Sequence, residues 1–201
     1  MSELATFVQL GFRHIVDVEA MDHILFLVAL AAIYRFRDAR QVLWVITAFT
    51  IGHSITLALA VTGVLTLPSS IIEFLIPVTI VATGIENLIV RDRDKAAWGG
   101  RYRPVFAGVF GLVHGAGFAN YLKAMFVDHI AVPLFGFNVG IELGQLTVLL
   151  AIAIILAIVD RVIVTVRTPS ASWQVLRVRI VTVSLLVVAV GSLWAVERRP
   201  W

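Results

Sequence analysis

The sequence predicts an all-α, polytopic membrane protein: a bundle of about six transmembrane helices. Three observations predict it. Of 201 residues, 60% are hydrophobic and only 14% are charged, with a mean hydropathy of +0.96, and a soluble domain of this size would carry more charge. Apolar stretches recur at the ~20-residue length that a helix needs to cross a bilayer. They lack the period-two alternation of a membrane β-barrel, and a backbone in lipid must satisfy its polar groups internally, so helices remain.

The first predicted span covers 15–34, with Asp17, Glu19, Asp22 and His23 crowding its start. Ahead of it, Leu4, Phe7, Val8, Gly11, Ile15 and Val18 recur at helical spacing. That pattern predicts an N-terminal interfacial or re-entrant helix, or else one long tilted span over 3–34. Further spans are expected at 41–63, 71–90, 104–126, 134–159 and 179–196. The whole of 1–201 reads as one integral membrane domain, with motifs in 14–145 and generic spans in 146–201. The polar stretches 91–104 and 160–179 are connections, too small for an enzyme site. The N-terminus has no basic region and does not read as a cleavable signal.

Charge fixes the expected orientation. Twelve of the sixteen Lys and Arg residues fall in three places: Arg35, Arg37 and Arg40; Arg91, Arg93, Lys95, Arg101 and Arg103; and Arg161, Arg167, Arg177 and Arg179. The alternate connections 64–70 and 127–133 carry none. This is the positive-inside bias, which places the three basic connections in the cytoplasm and both termini outside a plasma membrane; Arg198 and Arg199 run against it. It also accounts for the pI near 9.8 without nucleic acid as a partner. The absence of cysteine excludes disulfides, thiolate metal sites and thiol catalysis.

Polar residues inside such spans are costly and mark function. Asp22 and His23 sit together, with His14, Asp17 and Glu19 upstream. On a continuous helix His14 lies about 180° from His23, so it joins them only if the helix breaks near 16–20. His53 lies midway along the second span, among Thr50, Ser54 and Thr56. The third span carries Glu73 near its outer end, then Pro77, Thr79, Glu86 and Asn87. Pro77 removes a helix hydrogen bond and so frees a carbonyl. His114 sits beside Gly111 and Gly115, which have the spacing for close helix contact. On the fifth span Gly136, Gly140 and Gly144 form a ridge, and Asn138, Glu142 and Gln145 form a polar stripe on the opposite side. Glycine faces of this kind also allow contact between copies of the chain.

Segments 49–57 and 110–118 echo each other, each with Phe four residues before its histidine. The echo suggests a parallel duplication. Imidazole, carboxylate and amide donors fit a borderline divalent cation, leaving Ni²⁺, Co²⁺, Zn²⁺ and Mn²⁺ open. A metal permease leads. A zinc-dependent intramembrane hydrolase with Glu142 or Glu73 as base, and an assembly subunit that binds metal without moving it, are the alternatives. No His-Glu-x-x-His and no nucleophile elbow occurs, so enzyme activity is not expected.

Five motifs in order now carry a resemblance: Asp-His-Ile-Leu-Phe-Leu (22–27), Phe-Thr-Ile-Gly-His-Ser-Ile-Thr-Leu (49–57), Glu73 with Asn87, Phe-Gly-Leu-Val-His-Gly-Ala-Gly-Phe-Ala (110–119) and Phe-Asn-Val-Gly-Ile-Glu-Leu-Gly-Gln (137–145). Over 14–145 the chain resembles the HupE/UreJ family of bacterial membrane proteins. The resemblance implies an inner-membrane permease for nickel or cobalt, as supplied to hydrogenase and urease. It implies metal contacts at His14, Asp22, His23, His53, Glu73, His114, Asn138 and Glu142. The chain departs from the family pattern at one point: His14 precedes Asp22 by eight residues rather than six, with no glycine between them, which sets His14 apart from the other ligands.

Overall fold

The apolar runs fold into helices, and the first breaks where its acids crowd. A computed structural model describes residues 2–17, 20–90, 100–123, 130–166 and 172–201. Val18, Glu19, Arg91, Arg93, Lys95, Arg167, Pro169 and Ser170 lie outside the described residues. Seven α-helices and no strand occur among the described residues: α1 (Glu3–Val16), α2 (Met21–Ile33), α3 (Ala39–Val61), α4 (Ser69–Val90), α5 (Arg103–Lys123), α6 (Ala131–Val166) and α7 (Ser172–Glu197). Four of them, α3, α4, α6 and α7, are long and apolar enough to cross a membrane. The 21 residues of α5 rise about 31 Å, also a bilayer core's thickness. The chain is a multi-pass membrane protein.

The predicted span at 15–34 is two helices, not one. Ser2 caps α1, accepting from the Ala5 N–H at 3.4 Å. At its other end the Asp17 N–H still bonds the Arg13 carbonyl, but Asp17 itself is extended (ψ 141°) and the helix stops. Neither α1, with 14 residues, nor α2, with 13, can cross a ~30 Å core alone. Together their 27 residues are long enough.

Three close helix pairs hold the bundle. Gly11 of α1 meets the Phe137 backbone, and Gly140 and Gly144 of α6 meet the backbones of Val8 and Phe12. The order of these contacts makes α1 parallel to α6, so α1 lies lengthwise along another helix instead of alone at an interface. The two echoing segments form the second pair. Gly52 meets Gly108, Gly111 meets Phe49 and Gly115 meets His53, again in parallel. At Gly11, Gly52, Gly111, Gly115 and Gly140 a Cβ would collide with backbone, so only glycine permits the approach. The third pair, α4 with α7, runs antiparallel: Gly84 lies on Ser184 and Val188, and Gly191 on Val81.

One end of the bundle is tied by arginines. Arg103 donates to both oxygens of Glu86 and, at 3.1 Å, to Asn87 Oδ1, and its guanidinium lies 5.6 Å from the centre of the Tyr34 ring. Arg179 pairs with Asp160 and donates to the carbonyls of Ala32 (3.1 Å) and Tyr34 (3.0 Å). Asn87 donates to the Ala29 carbonyl at 2.7 Å. Near the end of α2 the carbonyls of Ala29, Ala32 and the capping Tyr34 thus accept from side chains of α4 and α7. Tyr34, at the end of α2, thus meets Arg103 of α5 and Arg179 of α7, two of the basic residues that the sequence places on one side.

Candidate metal centre

The break after Val16 turns His14 toward His23. Their ring centres lie 4.8 Å apart, and each lies 6.4 Å from that of His53. Each of the three offers a nitrogen within 4.8 Å of the others, a spacing that could hold one metal ion. His23 and His53 are buried and His14 is half-buried. The helix break, which the sequence poses as the condition for His14 to join, is present; the eight-residue spacing spans the discontinuity.

Phenylalanines wall the cluster. Phe118 packs on His14 with ring centres 4.0 Å apart, and Phe137 stacks on Phe118 at 5.2 Å. Phe49 lies 6.3 Å from His53 and 5.1 Å from His114. Both echoing segments thus supply their histidine to one locality, because the α3–α5 seam places Gly115 against the His53 backbone.

The polar atoms of this region are unusual in being unpaired. Among the described residues, His14 Nε2, His23 Nε2, both nitrogens of His53, and His114 Nδ1 are buried without a hydrogen-bond partner. Buried polar groups nearly always find one, so each such atom calls for an explanation. A metal ion, which takes imidazole lone pairs, is one.

His114 adds a fourth imidazole, 5.2 Å from His23 between ring centres. Its Nε2 is 3.1 Å from Thr79 Oγ1. Thr79 gives its only hydroxyl proton to the Ile76 carbonyl at 2.7 Å, so toward His114 it must accept. The proton of His114 therefore sits on Nε2, and Nδ1 presents its lone pair. A hydrogen bond on the far nitrogen is the usual way a protein fixes the ligand tautomer.

The acids and amides expected beside the histidines are arranged differently. Both oxygens of Asp22 accept from Arg198, at 3.0 and 3.2 Å, so Asp22 faces the C-terminal end of α7. Glu142 accepts from Thr47 at 2.7 Å, and Gln145 from Thr50 at 3.1 Å. The polar stripe of α6 is thus turned to α3 while its glycine ridge meets α1. Asn138 donates to its own helix at Leu134, leaving Oδ1 buried and unpartnered. Glu73 is exposed on the first turns of α4 and is not part of the imidazole group. Pro77 is buried inside a helix that continues through it. Sequence reasoning missed Thr47, the Arg198 partner of Asp22 and the Tyr34 junction; a polar residue's partner on a distant helix leaves no local signal.

A family model described as HupE / UreJ protein matches residues 1–198, well beyond the motif-bearing segment. Comparison with curated proteins and with solved structures finds no match.

Proposed function

We propose that this chain, which belongs to the HupE/UreJ family, is a permease that carries a divalent transition-metal cation, Ni²⁺ before Co²⁺ or Zn²⁺, across a bacterial inner membrane. One observation supports this above the others: three imidazoles from α1, α2 and α3 converge with bare nitrogens inside an apolar bundle. The all-nitrogen donor set suits Ni²⁺, Co²⁺ and Zn²⁺ and disfavours hard cations such as Mg²⁺. The metal is cargo in this reading. Its stop is the cluster of His14, His23 and His53, with His114 as the fourth ligand through Nδ1.

Charge bias supplies the direction. The arginine end is cytoplasmic and both termini are periplasmic. The cation then enters past Glu73 and Asp22, rests among the imidazoles at the α1–α2 break, and leaves toward Glu86 and Asn87. Glu142 and Asn138 stand beside this route on α6. The hydrolase alternative needs a carboxylate poised at the metal, and neither Glu142, held by Thr47, nor the exposed Glu73 joins the imidazole group.

Flux into proteoliposomes tests the proposal. Wild-type protein is expected to admit Ni²⁺ well above empty liposomes, and His53→Ala to return entry to background. Wild-type entry no faster than that of empty liposomes for Ni²⁺, Co²⁺ and Zn²⁺ sinks it. Tight metal retention without flux favours the assembly-subunit reading.

A further inference from the structure

Away from the histidines, a groove of about 820 Å³ opens between α2, α3, α6 and α7 at the arginine end. Its walls are aliphatic: Leu43 on α3 and Leu146, Leu150 and Ala157 on α6. Its mouth is cationic, formed by Arg35, Arg161 and Arg179. The single acid at the mouth, Asp160, is already paired with Arg179. Arg35 and Arg161 are exposed, and among the described residues neither side chain has an acidic partner.

The dimensions match one leaflet. From Leu146 to Ala157 the apolar wall rises about 16 Å along α6. Half of a ~30 Å hydrocarbon core is about 15 Å. The cations follow directly, at Asp160–Arg161, where a headgroup would lie. Leu43 and Leu150 remain 45% and 57% exposed, so the protein does not close this wall itself.

We propose that this groove is a binding site for an anionic phospholipid of the leaflet at the arginine end, one acyl chain lying along α6 and the phosphate held by Arg35 and Arg161. Charge complementarity selects this occupant. A zwitterionic lipid could fill the aliphatic wall, but its own cation would oppose the two free guanidiniums. Basic pockets between helices near a membrane face recognise anionic headgroups through this combination. The site is separate from the metal route, and the proposal stands whether or not the chain transports metal.

Native mass spectrometry of the full chain in detergent tests it, with phosphatidylglycerol and phosphatidylcholine of identical acyl chains as probes. Phosphatidylglycerol is expected to bind about ten-fold more tightly, in keeping with two arginines at an anionic headgroup. The double substitution Arg35→Gln/Arg161→Gln should erase that preference without moving the melting temperature, because both side chains are exposed. Leu150→Trp, which fills the wall, should weaken both lipids. Glycerol phosphate at millimolar concentration should not compete. Equal binding of the two lipids, a preference that survives the double substitution, or full competition by glycerol phosphate overturns the proposal. So does efficient disulfide cross-linking of Leu150→Cys between copies in native membranes, since it would place a second chain over the groove; the wild-type chain has no cysteine to confuse that result.

Discussion

Two polar regions of this bundle contrast, although the arginine end too keeps one buried atom unpartnered among the described residues, Asp160 Oδ1. At the arginine end, Arg103 and Arg179 are spread over carboxylates, an amide, backbone carbonyls and a ring face. Around the histidines, five ring nitrogens on four side chains are buried with nothing to bond among the described residues. Paired polar groups hold helices together, whereas unpaired ones are costly to the fold and persist where a ligand uses them. The arginine end is architecture, and the histidine cluster is the candidate site. Substitutions should separate the two cleanly, and the largest effect belongs to the architecture. Arg103→Ala leaves Glu86 with the Tyr102 hydroxyl as its remaining donor and Asn87 Oδ1 with none among the described residues, and breaking a largely buried pair costs up to about 3–5 kcal/mol. Thermal unfolding in detergent should show that loss, while the protein that remains folded keeps its Ni²⁺ affinity by calorimetry. Loss of affinity in the folded fraction would merge the two regions into one.

His53→Ala is the reciprocal experiment. His53 is fully buried and neither nitrogen has a partner among the described residues, so its removal forfeits no hydrogen bond to them. Ni²⁺ affinity should fall at least about 100-fold, since even residues one shell further out are worth 10–100-fold. The melting temperature without metal should change little by comparison with Arg103→Ala. A large drop in stability together with intact Ni²⁺ affinity would make His53 a packing residue.

The sequence carried much of this, unevenly. The helical membrane fold was legible because lipid leaves the backbone few options and the apolar runs have the length of a bilayer core. The glycine ridge at 136, 140 and 144 and the Gly111–Gly115 pair announced close seams, and the structure supplies their partners, α1 and α3. The location of His53 and His114 in echoing spans was legible, and the parallel packing of those spans explains their nearness. What was hidden depends on long-range partners. The 22–23 pair looks like a single ligand unit in sequence, yet adjacent helix positions diverge by about 100°; His23 turns to the cluster and Asp22 to Arg198. Glu142 and Gln145 looked like an isolated stripe because Thr47 and Thr50 lie 95 residues away.

A third substitution probes the border between the regions. Thr79 belongs to the hydrogen-bonded framework by its bond to Ile76 and to the site by its contact with His114. Thr79→Val keeps the shape but removes the acceptor, so His114 loses what holds its proton on Nε2. Ni²⁺ affinity should fall about 10-fold, the lower end of the outer-shell range. Thr79→Ser, which retains the hydroxyl, should restore it. Equal affinities for the Val and Ser variants would mean that the tautomer of His114 is immaterial.

The smallest effect is expected where sequence alone anticipates a large one. Asp22 precedes His23 and is a natural metal contact by position, but its carboxylate lies on Arg198, with side chains 21% and 32% exposed. A partly exposed ion pair of this kind is worth about 1 kcal/mol or less. If pairing with Arg198 is its main role, Asp22→Asn should shift the melting temperature slightly and leave Ni²⁺ affinity within about three-fold, under 1 kcal/mol. Arg198→Ala should then also leave Ni²⁺ affinity nearly unmoved, because it breaks the same ion pair and, beyond it, only the contact of its guanidinium with the Trp194 ring. If Asp22 were instead a ligand held in reserve by Arg198, the two would part: Arg198→Ala would free the carboxylate and tighten Ni²⁺, and Asp22→Asn would weaken it. Opposite signs from the two variants would move Asp22 from the architecture into the site, and matching signs keep it where its hydrogen bonds put it.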